Sequence, residues 1–177
     1  NLMRTMFVNK GLADKLSRRP AAPPKSQVRR LGILGAGMMG AGVAYVSARA
    51  GMDVVLLDST AELADKGKDY SRQLLAKDVS RGKRTQADAD AILARIKPTT
   101  NYDDLAGADL VIEAVFENRE IKADVTAKTE AVIPKNAVFA SNTSTLPITG
   151  LAQASKRPAQ FIGVHFFSPV DKMPLVE

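Results

Sequence analysis

Cysteine is absent from the 177 residues, and histidine occurs only once. The first absence excludes a disulfide framework and any thiolate metal site, and it agrees with a reducing compartment. The second excludes a metal site built on several histidines. Aromatic residues make up only 5% of the chain. The formal charge is +6, but the basic residues are scattered along the sequence. That balance argues against a nucleic-acid surface and for a small anionic partner carrying phosphates. No apolar run approaches the length of a membrane span, and the first residues carry no signal-peptide pattern. What remains, 45% apolar and 25% charged residues, suits a globular domain with a sizeable core.

The most informative stretch runs Leu31, Gly32, Ile33, Leu34, Gly35, Ala36, Gly37, Met38, Met39, Gly40. It reads as a strand over 28–34, a glycine turn and a helix over 41–50 capped by Gly51, followed by a second strand over 52–57. In a dinucleotide fingerprint Gly35 permits the tight turn and Gly37 lets backbone approach a pyrophosphate. Gly40 lets the helix pack closely on its strand. Asp58 stands eighteen residues beyond Gly40, at the end of the second apolar run. There a carboxylate accepts hydrogen bonds from ribose hydroxyls and repels a 2′-phosphate, so NAD is favoured over NADP. The competing reading of Asp58 is a helix cap.

The chain beyond the fingerprint alternates strand and helix. Residues 1–16 have the spacing of a short amphipathic helix, and 18–27 form a proline-rich linker with three prolines in five residues. Ser59 with Glu62 predicts a capping box for a helix to about Arg81. Thr85 and Asp88 predict the next start, leading through Ile92 and Ile96. Residues 60–95 thus form a helical hairpin with a basic tip. Strands follow over 97–100, 109–116, 137–141, 161–166 and from 173 onward. A helix from Asn118 is expected to bury Ile121, Val125 and Val132, and a short helix sits near Pro147. The expected fold is α/β and Rossmann-type, doubly wound, with a mostly parallel sheet and a helical-hairpin insertion. The start at Asn1 and the stop at Glu177 within an apolar run suggest a piece of a larger protein.

Several residues fall at expected carboxyl ends of strands, where ligands bind on such sheets. His165 is the only side chain of a type that titrates near neutrality. Its two readings are a satisfied core histidine and the base a dehydrogenase needs to take an alcohol proton. Glu177, twelve residues on, is a candidate to hold the imidazole in one tautomer. Ser141, Asn142, Thr143 and Ser144 offer hydroxyls and an amide to substrate or cofactor, or form an ordinary capping cluster. Glu117 either contacts the nicotinamide ribose or caps the helix after it. Met38 and Met39 pack the turn against the cofactor.

Four segments together resemble the NAD-binding domain of L-3-hydroxyacyl-CoA dehydrogenases, in particular that of the multifunctional alpha subunit of bacterial fatty acid β-oxidation complexes. They are GILGAGMMGAGVAYVSA (32–48), DLVIEAVFE (109–117), FASNTSTL (139–146) and HFFSPVDKMPLVE (165–177). The resemblance covers 28–177, leaving 1–27 as the tail of a preceding domain and linker. It implies that His165 is the catalytic base, that Glu177 pairs with it and that Ser144 contacts the substrate's 3-oxygen. It implies cofactor contacts from Asp58, Met39, Val115, Phe116, Glu117 and Lys122. Ser168 stands where small members of the family have asparagine and some multifunctional members have serine.

The helical hairpin resembles the family's coenzyme A-contacting insert, with Lys77, Arg81, Lys83 and Arg84 as phosphate candidates. The implied reaction is oxidation of L-3-hydroxyacyl-CoA to 3-ketoacyl-CoA with NAD, without nucleic acid or a membrane span. A thiolase subunit is the implied partner. The implied location is the bacterial cytoplasm, with the mitochondrial matrix as the alternative. A helical domain that follows in the family, with its active-site asparagine, is absent, so the piece is expected to be inactive alone. The rival readings are a stand-alone 3-hydroxybutyryl-CoA or other β-hydroxyacid dehydrogenase domain and a non-catalytic NAD-binding module.

Overall fold

The computed structural model describes residues 27–177 together with Val8, Gly11, Leu12 and Lys15. The helix expected over 1–16 and the linker over 18–27 lie almost wholly outside the described residues. Six strands form one sheet: β1 (Arg30–Leu34), β2 (Asp53–Leu57), β3 (Ile96–Thr99), β4 (Leu110–Glu113), β5 (Val138–Ser141) and β6 (Phe161–Gly163). All pairings are parallel, in the order β3-β2-β1-β4-β5-β6. The helices are α1 (Met38–Arg49), α2 (Ala61–Ser80), α3 (Gln86–Ala94), α4 (Arg119–Glu130) and α5 (Ile148–Ala152).

This order reverses direction at β1, creating a switch point between β1 and β4. Register makes that point functional. Leu34 pairs with Leu57 and Glu113, Glu113 with Ser141, and Ser141 with Gly163. The carboxyl ends of β2, β1, β4, β5 and β6 therefore lie level along one edge.

Both sheet faces are covered, which is why the strands are apolar without alternation. On one side Leu31, Ile33, Val54, Leu56 and Ile112 pack with Val43, Ala44 and Ala48 of α1. On the other, Leu34, Val55, Val111 and Phe139 pack with Val125 of α4 and with Leu105 and Ile133. Phe139 and Phe161 stack with centroids 5.3 Å apart. Pro98, which lacks a ladder donor, sits in β3 at the sheet edge.

Several local expectations need correction. Helix α2 is capped by Thr60, whose side chain accepts from the Leu63 N–H at 3.2 Å, and not by Ser59. Ser59 is drawn back instead, its N–H 2.6 Å from Asp58 Oδ1. The Thr85–Asp88 capping box is present, but α3 ends at Ala94 and Ile96 begins β3. Strand β1 starts at Arg30, two residues later than expected.

Strand β4 stops at Glu113 because the Glu113 side chain captures the Val115 N–H at 2.8 Å and turns the backbone out of the ladder. Phe116, expected inside the strand, is 85% exposed. Ile121 is exposed too, while Lys122 lies on the buried face of α4 with Val125. Strand β6 ends at Gly163, and the run after 173 makes only an antiparallel bridge between Val176 and Phe166.

Candidate functional site

The glycine turn joins β1 to α1 at the switch point. Gly35 has φ +93°, and a Cβ there would lie 2.7 Å from the Ala114 carbonyl oxygen. A Cβ on Gly40 would sit 1.8 Å from the Gly35 carbonyl oxygen, so helix and turn touch backbone to backbone. Around Gly37 the same construction meets nothing within 4 Å. The open side of the turn is the one that a ligand can approach.

Gly37 is also the N-cap of α1, with no side-chain cap and no acidic residue in the first turn. The free N–H groups and positive end of the helix dipole are left for an anion. A cleft of about 910 Å³ runs from this turn past Asp58, Ser59 and Thr100. Its α2 wall is Leu63, Lys66, Gly67, Tyr70 and Gln73, and its far wall includes Val115, Phe116 and Ile121. The uncapped helix end, the open glycine and the long cleft fit a dinucleotide.

Asp58 braces the turn. Its Oδ2 accepts from the Ala36 N–H at 2.6 Å, and its Oδ1 from the Ser59 N–H at 2.6 Å and hydroxyl at 3.1 Å. The helix-cap reading of Asp58 is thereby replaced. Gly67 is a contributor that pattern reading missed: a Cβ there would meet the Ala36 Cβ at 2.7 Å and carbonyl oxygen at 2.8 Å. The available signal was a glycine inside a twenty-residue helix, where it has a cost unless close packing requires it. Met38 is 70% exposed and lines the cleft, whereas Met39 packs against the core. The Ser168 hydroxyl lies 3.7 Å from Met38 Sδ, bringing the segment after His165 to the turn.

A buried polar network stands at the ends of β4 and β5. Lys122 is 3% exposed, and its Nζ lies 2.7 Å from Glu113 Oε1, 2.9 Å from Glu117 Oε2 and 3.4 Å from the Val115 carbonyl oxygen. Those contacts engage all three ammonium protons, so Lys122 reaches the site through Glu117. Glu117 Oε1 accepts from the Thr143 hydroxyl at 2.7 Å and the Ser144 N–H at 3.0 Å. It does not cap α4; Asn118 does, accepting from the N–H groups of Glu120 and Ile121.

Burial alone would raise the Glu117 pKa. Hydrogen bonds from Thr143, Lys122 and the Ser144 N–H outweigh it and hold the carboxyl at about 2, against an ordinary 4.5. A depressed folded-state value means that Glu117 orders its loop fully above 4.5 and loses that hold as pH falls through about 2. The Ser144 amide resonance is expected to titrate with a midpoint near 2 rather than near 4.5.

His165 follows β6 at the same edge. Its Nδ1 lies 3.1 Å from Glu177 Oε2, and its side chain is 28% exposed. The backbone enforces that meeting: the His165 N–H donates to the Glu177 carbonyl at 2.8 Å, and the Glu177 N–H returns to the His165 carbonyl at 3.0 Å. With Nδ1 engaged by the carboxylate, Nε2 is the nitrogen left to take a proton. Phe167 packs on the ring, centroids 4.6 Å apart. Asn142 Oδ1 accepts from the Phe166 N–H at 2.9 Å, tying the end of β5 to the residue after His165.

The basic candidates Lys77, Arg81, Lys83 and Arg84 stay outside the cleft lining. Arg84 Nε instead faces Asp78 Oδ2 at 3.7 Å. Among the described residues, no cluster of acidic and histidine side chains is arranged to hold a metal, and no helix is long and apolar enough to cross a membrane.

Comparison with known proteins agrees with this geometry. Residues 30–177 match the family model described as 3-hydroxyacyl-CoA dehydrogenase, NAD binding domain. The chain is 42% identical over 172 residues to the fatty acid oxidation complex subunit alpha of Psychrobacter arcticus, covering 97% of this chain and 24% of that protein. Against the same subunit of Acinetobacter baylyi it is 45% identical over 174 residues, again with 97% and 24% covered. The chain thus spans about a quarter of the length of these relatives.

Among solved structures, (S)-3-hydroxybutyryl-CoA dehydrogenase from Ralstonia eutropha superposes with a TM-score of 0.81 at 41% identity, over 85% of this chain and 53% of that one. The 3-hydroxybutyryl-CoA dehydrogenase of Escherichia coli K12 gives 0.82 at 38%, over 85% and 32%. With the uncapped glycine turn, the switch-point cleft and the shared sequence all in agreement, this chain belongs to the family of NAD-binding domains of 3-hydroxyacyl-CoA dehydrogenases.

Proposed function

We propose that the protein containing this chain oxidises L-3-hydroxyacyl-CoA to 3-ketoacyl-CoA, with His165 as the base. The observation that carries this reading is the His165–Glu177 pair, 3.1 Å apart, on the same sheet edge as the glycine turn. His165 Nε2 takes the proton of the substrate hydroxyl. Glu177 keeps the Nδ1 proton in place and stabilises the imidazolium that results. Ser144, positioned through its N–H by Glu117, offers its hydroxyl to the substrate's 3-oxygen, and Asn142 holds the backbone beside the base.

Bound NAD supplies the hydride acceptor. Residues 35–40 receive its pyrophosphate at the α1 N-terminus, and Asp58 receives its adenosine ribose. Glu117 and the neighbouring Val115 and Phe116 form the nicotinamide side, with Lys122 acting through Glu117. Ser168 lies close enough to Met38 to complete the wall there.

The assignment of residues 1–27 to a preceding domain and linker, and of 28–177 to the cofactor domain, belongs to the same reading. The chain length relative to its relatives supports it. That those relatives are complex subunits supports a partner subunit of the thiolase class, and their bacterial sources support a cytoplasmic setting.

The test uses the full-length protein with 3-hydroxyacyl-CoA substrates of graded length, following reduced-cofactor absorbance. Turnover with NAD is the expected result, and no turnover with any chain length overturns the reading. Preference for the four-carbon substrate would favour the 3-hydroxybutyryl-CoA alternative, which the solved relatives support. For Asp58, replacement by alanine is expected to weaken NAD binding about 10- to 100-fold, the range for losing charged hydrogen bonds. The same change should narrow the preference for NAD over NADP. Calorimetry showing unchanged NAD affinity would contradict the role given to Asp58.

A further inference from the structure

We propose that Glu113 is a positioning residue for the dehydrogenase site, holding from a single buried carboxylate the two loops that carry the cofactor and substrate contacts. The inference rests on the dehydrogenase reading above and adds a residue to it.

Glu113 is the last residue of β4 and only 1% exposed. A carboxylate in the core costs stability unless its oxygens are paired and hydrogen-bonded, and an apolar residue of similar size commonly serves a core better. Its neighbour Ile112 shows that the strand otherwise takes apolar side chains. What distinguishes a carboxylate from leucine here is direction.

The partners of Glu113 show where that direction points. Oε1 accepts from the Val115 N–H at 2.8 Å and from Lys122 Nζ at 2.7 Å, and Oε2 accepts from the Ser141 hydroxyl at 2.7 Å. The backbone carbonyl of Glu113 adds a fourth link, accepting from the Asn142 N–H at 2.8 Å. Val115 opens the loop that ends at Glu117, and Lys122 secures the Glu117 carboxylate itself. Ser141 and Asn142 open the loop that carries Thr143 and Ser144.

The chain of contacts continues to both reacting ends of the site. Through Glu117 it reaches the Ser144 N–H, and through Asn142 it reaches the Phe166 N–H beside His165. Glu113 itself is buried and does not line the cleft. It sets the spacing between Ser144 and His165, the groups assigned to the substrate oxygen. Misplacement of such groups by about 1 Å can cost about 100-fold in rate.

The test compares Glu113→Gln, Glu113→Asp and Ser141→Ala in the full-length protein. Kinetics are measured well below each variant's melting temperature. Glu113→Gln keeps the shape and loses the charge, and Glu113→Asp keeps the charge and loses the reach. Both are expected to lower kcat about 100-fold and to weaken NAD binding much less, because the contacts at residues 35–40 and Asp58 do not depend on Glu113. Ser141→Ala leaves the Glu113–Lys122 ion pair intact and is expected to lower kcat about 10-fold. In each variant the backbone amide resonances of Ser144 and Phe166 should shift together.

Wild-type kcat in a folded Glu113→Gln variant overturns the proposal. So does full recovery by Glu113→Asp, which would mean that charge alone matters. A loss of NAD affinity as large as the loss of kcat also overturns it, since that is the mark of general disorder. If Glu113→Gln and Glu113→Asp do not fold, Ser141→Ala decides by the same criteria. If the wild-type protein turns over no 3-hydroxyacyl-CoA, the dehydrogenase reading fails instead. The Ser144 and Phe166 resonances then decide the positioning role alone: shifts in the variants support it, and unmoved resonances overturn it.

Discussion

Replacing His165 with alanine is expected to lower kcat of the full-length protein about 1000-fold, within the range for a lost general base. NAD affinity should remain close to wild type. His165 follows β6 at the sheet edge, whereas the glycine turn follows β1 and Asp58 follows β2, three and four strands away beyond β5 and β4. The side chain makes one polar contact, with Glu177, and its backbone bonds survive truncation. Removing the imidazole therefore takes away proton transfer and leaves the cofactor cleft intact. Glu177→Gln should also lower kcat, because the amide can meet Nδ1 but no longer holds the required tautomer or stabilises the imidazolium. Near-normal turnover in His165→Ala, followed by reduced-cofactor absorbance, would remove His165 from the chemistry.

Replacing Lys122 with methionine is expected to destabilise the domain by about 3–5 kcal/mol, the cost of stranding a buried charge. Methionine fills the space of the lysine stem on α4, so packing changes little. What changes is that Glu113, 1% exposed, loses its counter-ion. Glu117 loses the same partner but is better placed to recover with solvent, its side chain being 39% exposed. The double variant E113Q/K122M should regain much of the stability, because neither an unpaired charge nor a desolvated ammonium remains. Urea unfolding of the three proteins separates the cases. A loss below about 1 kcal/mol in the single variant would mean that the pair contributes no more than an exposed one.

Lys122 also marks where pattern reading succeeds and fails. Apolar spacing on α4 pointed to Ile121, Val125 and Val132 as the buried side, and Val125 is buried there. Ile121 instead stands at the rim of the cleft, and a lysine takes the interior position. Hydrophobic periodicity assumes that burial selects apolar side chains. It has no way to represent two carboxylates, nine and five residues away, waiting at the end of β4. The same blindness affects β4 itself. An apolar run through Phe116 reads as strand, yet the Glu113 side chain takes the Val115 N–H and ends the ladder.

The α/β alternation, the glycine turn and the capping box at Thr85 are legible from the residues alone. These depend on interactions within a few residues: a glycine that accepts φ +93°, a helix start without a side-chain cap, a threonine three residues before its aspartate. Family resemblance added the roles proposed for His165 and Glu177, which spacing did not reveal. How these parts meet depends on contacts distant in the chain. Parallel register levels the carboxyl ends of five strands, and the bridge from 165 to 177 brings the His165 ring onto the Glu177 carboxylate. Asp58 reaches the Ala36 N–H across twenty-two residues, and Glu113 gathers two loops from the core. Those contacts join groups far apart in the chain, and only the packing of the sheet and helices sets the distances between them.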